Sequence, residues 1–305
     1  ASGILMAAAA DVTTSWSTTE RARMFSRIEG CIWVGQFIGP ACGGVVANLI
    51  GPQLALLVPL VLSAATCLLT LLVQPETLRC EERLGFSWKK ANPLGGFMVA
   101  RKFPTCLILA GGMLFAQWAI SSGVTTWPLF CKREFNWADG TTGALESVFF
   151  MANAVGLVFV MPALAGRISP KMILMLAGVG AVVMWSLFAG AVEGWQMFVI
   201  ACIGTANAMM YPVIRASLVS TLGPQLHGAA LGMMALVELA CQTGAPATAN
   251  AIWHTLEVRG WSDHAAFGGP AAQLLVAVAI FAFVPGKHLI SERSCDEEGL
   301  CDLAG

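Results

Sequence analysis

The chain has 305 residues, of which 57% are hydrophobic and 11% charged, with a formal net charge of −1. A soluble domain carries about 25% charged residues, so this composition excludes an ordinary water-soluble globule. The net charge says little by itself. What matters is where the charges sit, because the apolar segments between them reach the about 20 residues needed to cross a bilayer.

Residues 1–10 are apolar but too short to span, and read as the end of a helix. A charged loop is expected over 11–27, carrying Glu20, Arg21, Arg23 and Arg27. Two spans then fit between 28 and 74, split by Gly51, Pro52 and Gln53, a turn with breaker chemistry. The first of them contains the run GQFIGPACGG over 35–44, with Gly35, Gly39, Pro40, Gly43 and Gly44. In water such a run would break a helix, since each glycine costs about 1 kcal/mol and proline about 3. In lipid, neighbouring helices satisfy the freed backbone groups and glycines allow close packing.

A polar connector over 75–103, broken by Pro75, Pro93, Gly95 and Gly96, is the expected boundary between two parts. Six further spans are predicted at 104–130, 141–165, 172–192, 195–216, 226–250 and 265–286, followed by a polar tail over 287–305. The fold class is therefore all-α, a polytopic transmembrane bundle of about eight full spans plus the end of one more. Residues 1–74 form an N-terminal part and 104–286 a C-terminal six-helix bundle. Cytoplasmic loops carry excess Lys and Arg. Fourteen basic residues fall on the side of the 75–103 connector and the C-terminus, against Lys132, Arg133 and Arg259 on the other, which predicts a cytoplasmic connector and tail.

These residues resemble the major facilitator superfamily of secondary transporters. Asp11, Val12 and Thr13 with Glu20, Arg21, Ala22 and Arg23 look like the loop after that family's fourth helix. The run over 35–44 matches its fifth-helix motif, and Pro75, Glu76, Thr77 and Leu78 resemble the end of its sixth. Shifting the chain by 206 residues pairs Gln36 with Gln242 and Pro40 with Pro246, as expected of the parallel repeats in such transporters. The resemblance implies twelve helices, so the first three and part of the fourth are missing, and the chain reads as a fragment or a truncated gene product. It also departs from the family at 162–171. Leu164, Ala165, Arg167 and Lys171 match the loop motif, but Gly166 replaces its aspartate, so the usual ionic latch is not expected here.

Residues four apart share a helix face. Gln117, Ser121 and Thr125 form one polar stripe, and Asn207, Tyr211 and Arg215 another. The resemblance makes these the seventh and tenth helices, which line the solute cavity in the family; the alternative is that these side chains only join helices. Arg215 also fits a guard at the cytoplasmic mouth, or an anchor snorkelling to the interface. Glu238 lies midway along a span, where an ionised carboxylate costs about 3 kcal/mol on insertion scales. It is a proton-coupling candidate, with a structural protonated or hydrogen-bonded glutamate as the other reading. Glu146, near the outer end of its span, is a second candidate or an interfacial side chain. Glu29 is expected to pair locally with Arg27 or Arg23.

The ten cysteines form no C-x-x-C pair and the four histidines no cluster, so neither a metal site nor a cofactor is expected. No G-x-x-x-x-G-K-[ST] run argues for direct ATP drive. The expected function is transmembrane transport of a small solute by alternating access, as proton-coupled antiport. Proton-coupled uptake and a truncated, non-transporting membrane protein are the alternatives. The partners are a solute, protons and the lipid bilayer of the plasma or an internal membrane, with no nucleic acid and no enzymatic chemistry.

Overall fold

The computed structural model describes residues 2–13, 16–73, 97–98, 101–222 and 226–285. Most of the 75–103 connector and all of the 287–305 tail lie outside the described residues. What is described is helical, as lipid demands of a chain that must satisfy its own backbone hydrogen bonds. The helices are α1 (Ser2–Val12), α2 (Thr18–Ile50), α3 (Pro52–Ala55), α4 (Leu57–Val73), α5 (Pro104–Glu134) and α6 (Asp139–Val155). They continue with α7 (Met161–Leu164), α8 (Pro170–Ala189), α9 (Gly194–Ile203), α10 (Thr205–Ala208), α11 (Met210–Thr221), α12 (His227–Arg259) and α13 (Gly268–Ala282). A π-helical turn, Gly156–Val160, joins α6 to α7, and a 3-10 turn, Asp263–Phe267, leads into α13.

Seven described segments are long and apolar enough to cross a membrane: Gln53–Val73, Pro104–Glu134, Gly140–Leu164, Pro170–Ala189, Gly194–Thr221, His227–Arg259 and Asp263–Ala282. Helix α2, at 33 residues, has the length as well. Two expected boundaries are corrected. Helix α2 begins ten residues before the expected start at 28, because Ser17 and Glu20 form a capping box there. The Glu20 carboxylate accepts from the Ser17 backbone N–H at 3.0 Å and hydroxyl at 2.9 Å, and the Ser17 hydroxyl accepts from the Glu20 N–H at 3.3 Å. Those Ser17 bonds, the backbone one foremost, hold the Glu20 carboxyl below its ordinary range. Helix α12 likewise runs nine residues past the expected end at 250, stopping at Arg259 where Gly260 turns left-handed at φ 64°.

Helix α5 is the hub, packing against both α12 and α13, while α13 also packs on α8. Helix α2 lies against α6 and α11. The towards-α8 face of α5 meets an aromatic core in which Trp127 stands edge-on to Phe149 and Phe188 at centroid distances of 4.8 and 5.1 Å. Trp185 lies 5.3 Å from Trp127 and stacks on Phe267 at 6.1 Å. Glycine makes that core possible. A Cβ on Gly123 would sit 2.1 Å from the Trp185 ring, and one on Gly112 2.2 Å from Phe281.

The 35–44 run behaves differently. Its backbone is helical without a break, yet Cβ atoms built on Gly35 and Gly39 would meet nothing within 4 Å. Close packing by these two glycines is thus not made by the described residues of this chain. Helix α4 is equally open: no residue of it is buried.

Gly123→Ala should force the fully buried Trp185 aside and cost about 1–3 kcal/mol, as overpacking does. Gly35→Ala should stay within about 0.5 kcal/mol of the parent. Thermal unfolding of the two variants in the same detergent reads the difference.

Candidate transport site and a buried ionic cluster

The predicted span over 195–216 is interrupted in its middle. Helices α9, α10 and α11 are separated at Gly204 and Met209, where tighter bonds run from Gly204 N–H to the Ala201 carbonyl at 3.1 Å and from Asn207 N–H to the Gly204 carbonyl at 2.9 Å. The interruption touches the π turn of the neighbouring segment. A Cβ on Gly156 would lie 2.4 Å from Thr205 Cγ2 and 2.7 Å from the Thr205 carbonyl oxygen, so only glycine fits. Single π turns and mid-helix 3-10 turns often mark functional sites.

Asn207 stands in this break, fully buried, and neither polar atom of its amide has a hydrogen-bond partner among the described residues. Buried Asn153 on α6 donates its amide to the Phe149 carbonyl at 2.7 Å and leaves Oδ1 unmatched. Unpaired buried amides are costly. One turn beyond Asn207 comes buried Tyr211, and a further turn on comes buried Arg215.

On α5 the second predicted stripe is half-buried. The Gln117 amide donates to the Ser121 hydroxyl at 3.5 Å, and the Thr125 hydroxyl donates to the Ser121 carbonyl at 2.8 Å. Helices α5 and α11 touch, but no hydrogen bond among the described residues joins the two stripes. Glu146 is half-buried and in no ion pair among those residues.

The structure assembles a charged group that the sequence reading divided among separate roles. Arg215 forms ion pairs with both Glu29 of α2 and Glu238 of α12. The Arg215 and Glu29 side chains are each 8% exposed and Glu238 is 18% exposed. Glu29 therefore does not pair with Arg27 or Arg23 as expected. It lies on the α2 face that packs on α11, whereas Arg27 points to the exterior. The signal available in sequence was Arg215 itself, since a cation so deep needs counter-charges.

Further contacts tie the same end of the bundle together. The Thr18 hydroxyl donates to the Ser220 hydroxyl at 3.0 Å, and Arg21 Nη1 reaches that oxygen at 3.3 Å. Arg23 Nη2 donates to the Ala165 carbonyl at 2.6 Å. Gly166, where the loop motif usually has aspartate, sits at φ 95°, and a Cβ there would lie 2.9 Å from Arg23 Nη2. The guanidinium thus docks on a backbone carbonyl. Lys171 has a role that the sequence did not indicate: its ammonium donates to the Ala282 and Val284 carbonyls, each at 2.8 Å, closing the last turn of α13. At the opposite end Arg133 pairs with Glu257, lies 3.8 Å from Asp263 and sits over the Trp253 ring at 5.4 Å.

Comparison with known proteins gives this arrangement its family. The model of the Major Facilitator Superfamily matches residues 1–246, and the chain belongs to that superfamily. It is an integral multi-pass membrane protein of a transporter family, not an enzyme. Among curated proteins it is similar to the class D tetracycline resistance protein of Salmonella ordonez, 24% identical over 208 residues, covering 68% of this chain and 52% of that protein. It is also similar to the class G tetracycline resistance protein of Vibrio anguillarum, 24% identical over 232 residues, covering 74% and 57%. The chain thus spans about half the length of these curated relatives. Among solved structures, the human organic anion transporter MFSD10 (TETRAN) has the same fold, with a TM-score of 0.75 at 18% identity, covering 92% of this chain and 67% of that one.

Arg215→Met leaves two carboxylates without their cation. It should destabilise the protein by about 3–5 kcal/mol, the usual penalty for breaking a buried pair from one side. Arg215→Lys, which keeps the charge, should lose less; thermal unfolding of both variants against the parent measures this.

Proposed function

We propose that the chain works in alternating-access transport of a small organic solute, coupled to protons as antiport. In this reading residues 1–74 and 104–286 belong to two parts that move against each other, with the 75–103 connector between them. The ends carrying Arg23, Ala165, Arg215 and Ser220 face the cytoplasm, as the excess of Lys and Arg on that side supports. Solute meets the polar stripes Gln117, Ser121, Thr125 and Asn207, Tyr211, with the unmatched Asn207 amide as the strongest candidate for a direct contact.

The observation that carries the reading is the Glu29, Arg215, Glu238 cluster. Its members come from both proposed parts, so contact between them is made and broken by any motion of one part against the other. An ionisable group within a membrane segment is functional by default, because its insertion is costly. The names of the curated relatives, which are resistance proteins, favour export over uptake. Uptake would use the same groups with the flux reversed.

Reconstitution into lipid vesicles tests this. With an imposed pH gradient, a tetracycline and a fluorescent organic anion are followed separately; solute movement against the proton gradient is expected for one of them. Glu238→Gln should abolish the pH dependence. Flux through Glu238→Gln with an unaltered pH profile, or no flux of any solute under a gradient, would overturn the proposal.

A further inference from the structure

We infer that Asn153 of α6 and Asn207 of α10 together form a recognition site for a primary carboxamide of the solute. This rests on the transport reading and adds to it one residue, Asn153, and the chemical group that the solute presents. Both side chains are fully buried, and three of their four amide nitrogen and oxygen atoms have no partner among the described residues. Which three follows from chemistry. Asn153 faces the Phe149 carbonyl at 2.7 Å, which accepts only from an N–H, so Nδ2 is engaged there and Oδ1 is the free atom. On Asn207 both the donor and the acceptor are free.

The two side chains stand at one level of neighbouring helices. Helix α6 and the broken segment α9–α11 are separated in the chain by the single span α8, so they run through the bundle in the same direction. They touch where a Cβ on Gly204 would lie 3.0 Å from Phe149 Cε2. Asn153 is one turn beyond Phe149, and Asn207 is one turn beyond Gly204. Phe149, Asn153 and Gly156 recur at i, i+4 and i+7 on one face, and Gly156 meets Thr205, so Asn153 faces the α9–α10 junction between two contacts. The packing beside them is apolar: Met184 of α8 lies against Gly204, and Trp33 of α2 lies 6.1 Å from the Phe149 ring. Helix α2 also closes on the π turn, with a Cβ on Gly30 placed 2.6 Å from Val158 Cγ2. Withdrawal of α2 therefore uncovers this seam, and its return shuts the seam on what is bound.

The free atoms set the ligand. Two acceptors and one donor call for a group with two donors and one acceptor. A primary carboxamide has them: its NH2 donates to Asn153 Oδ1 and Asn207 Oδ1, and its carbonyl accepts from Asn207 Nδ2. A carboxylate would set its oxygens against two oxygens, an ammonium would leave Nδ2 unmatched, and a nitrile offers one acceptor and no donor. Closing α2 over empty amides leaves three buried polar atoms unpaired, which is costly, so closure favours the loaded protein.

The test compares carboxamides with matched nitriles by equilibrium binding to the full chain in lipid vesicles. The probes are tetracycline against its nitrile analogue, and nicotinamide against 3-cyanopyridine. The parent is expected to bind at least one carboxamide about tenfold or more tightly than its nitrile, and Asn153→Leu and Asn207→Leu should each bring that ratio close to one. Each variant is its own reference, so a partial loss of folded protein lowers both affinities and leaves the ratio. Thermal unfolding without solute should show the variants at or above the parent's melting temperature, since leucine removes unmatched polar atoms. Equal affinities for amide and nitrile in the parent, as a site that holds only water would give, or a preference that survives in both variants, would overturn the inference. A lower melting temperature in both variants, the mark of amides already satisfied in the closed protein, would overturn it too. Flux without carboxamide preference defeats this site and spares the transport reading; the preference without flux of any solute does the reverse.

Discussion

A guanidinium cannot rest inside a membrane bundle without its counter-charges, and that constraint organises the packing around Arg215. Its carboxylate partners arrive from two directions, Glu29 on α2 and Glu238 on α12. Helix α11 must therefore stay wedged between α2 and α12 for as long as the charges are buried. The hydroxyl pair of Thr18 and Ser220 and the docking of Arg23 on Ala165 lie at the same end and close the same seam. Weak contacts alone would not hold it, since polar side-chain bonds between membrane helices contribute only about 0.6 kcal/mol each.

The seam sits at one end of a bundle whose other end is built from different material. There the core is aromatic, with Trp127 touching Phe149, Trp185 and Phe188, and the last two touching Phe267. Apolar packing of that kind has few alternative arrangements, because interiors are close-packed and a displaced ring finds no equal partner. Between the two ends lie the π turn at 156–160 and the broken helix around Gly204 and Met209. The chain thus has an aromatic core at one end, a buried ionic cluster at the other and irregular backbone in between, at the level where Asn207 is left unmatched among the described residues.

Much of this was legible in the sequence because lipid imposes a simple grammar. Length and apolarity alone marked the helices at 53–73, 104–134 and 263–282 nearly to their ends, and the family followed from Asp11, the 35–44 glycines and Pro75 read in order. Boundaries governed by capping were less legible. Ser17 and Glu20 start α2 inside what charge alone marked as loop, and Arg259 belongs to a helix that apolarity alone would have stopped earlier. The site was legible residue by residue but not as a group. Arg215 and Glu238 stood out as charges in apolar surroundings, yet Glu29 beside Arg27 looked local, since only the packing of α2 on α11 turns it inward. Gly35 and Gly39 gave the opposite lesson: a packing signature identified the helix, while the tight contacts fell to Gly112, Gly123 and Gly156.

The exchange of aspartate for glycine at position 166 has a chemical consequence. A carboxylate accepting from Arg23 could be switched off by acid, whereas the Ala165 carbonyl that accepts instead has no proton to gain or lose across the physiological range. Among the guanidinium contacts at this end, Arg215 meets two carboxylates whereas Arg23 meets a backbone carbonyl. The Arg215 side of the seam thus rests on acidic partners, while the Arg23 side keeps one and the same backbone acceptor whatever the proton concentration around it.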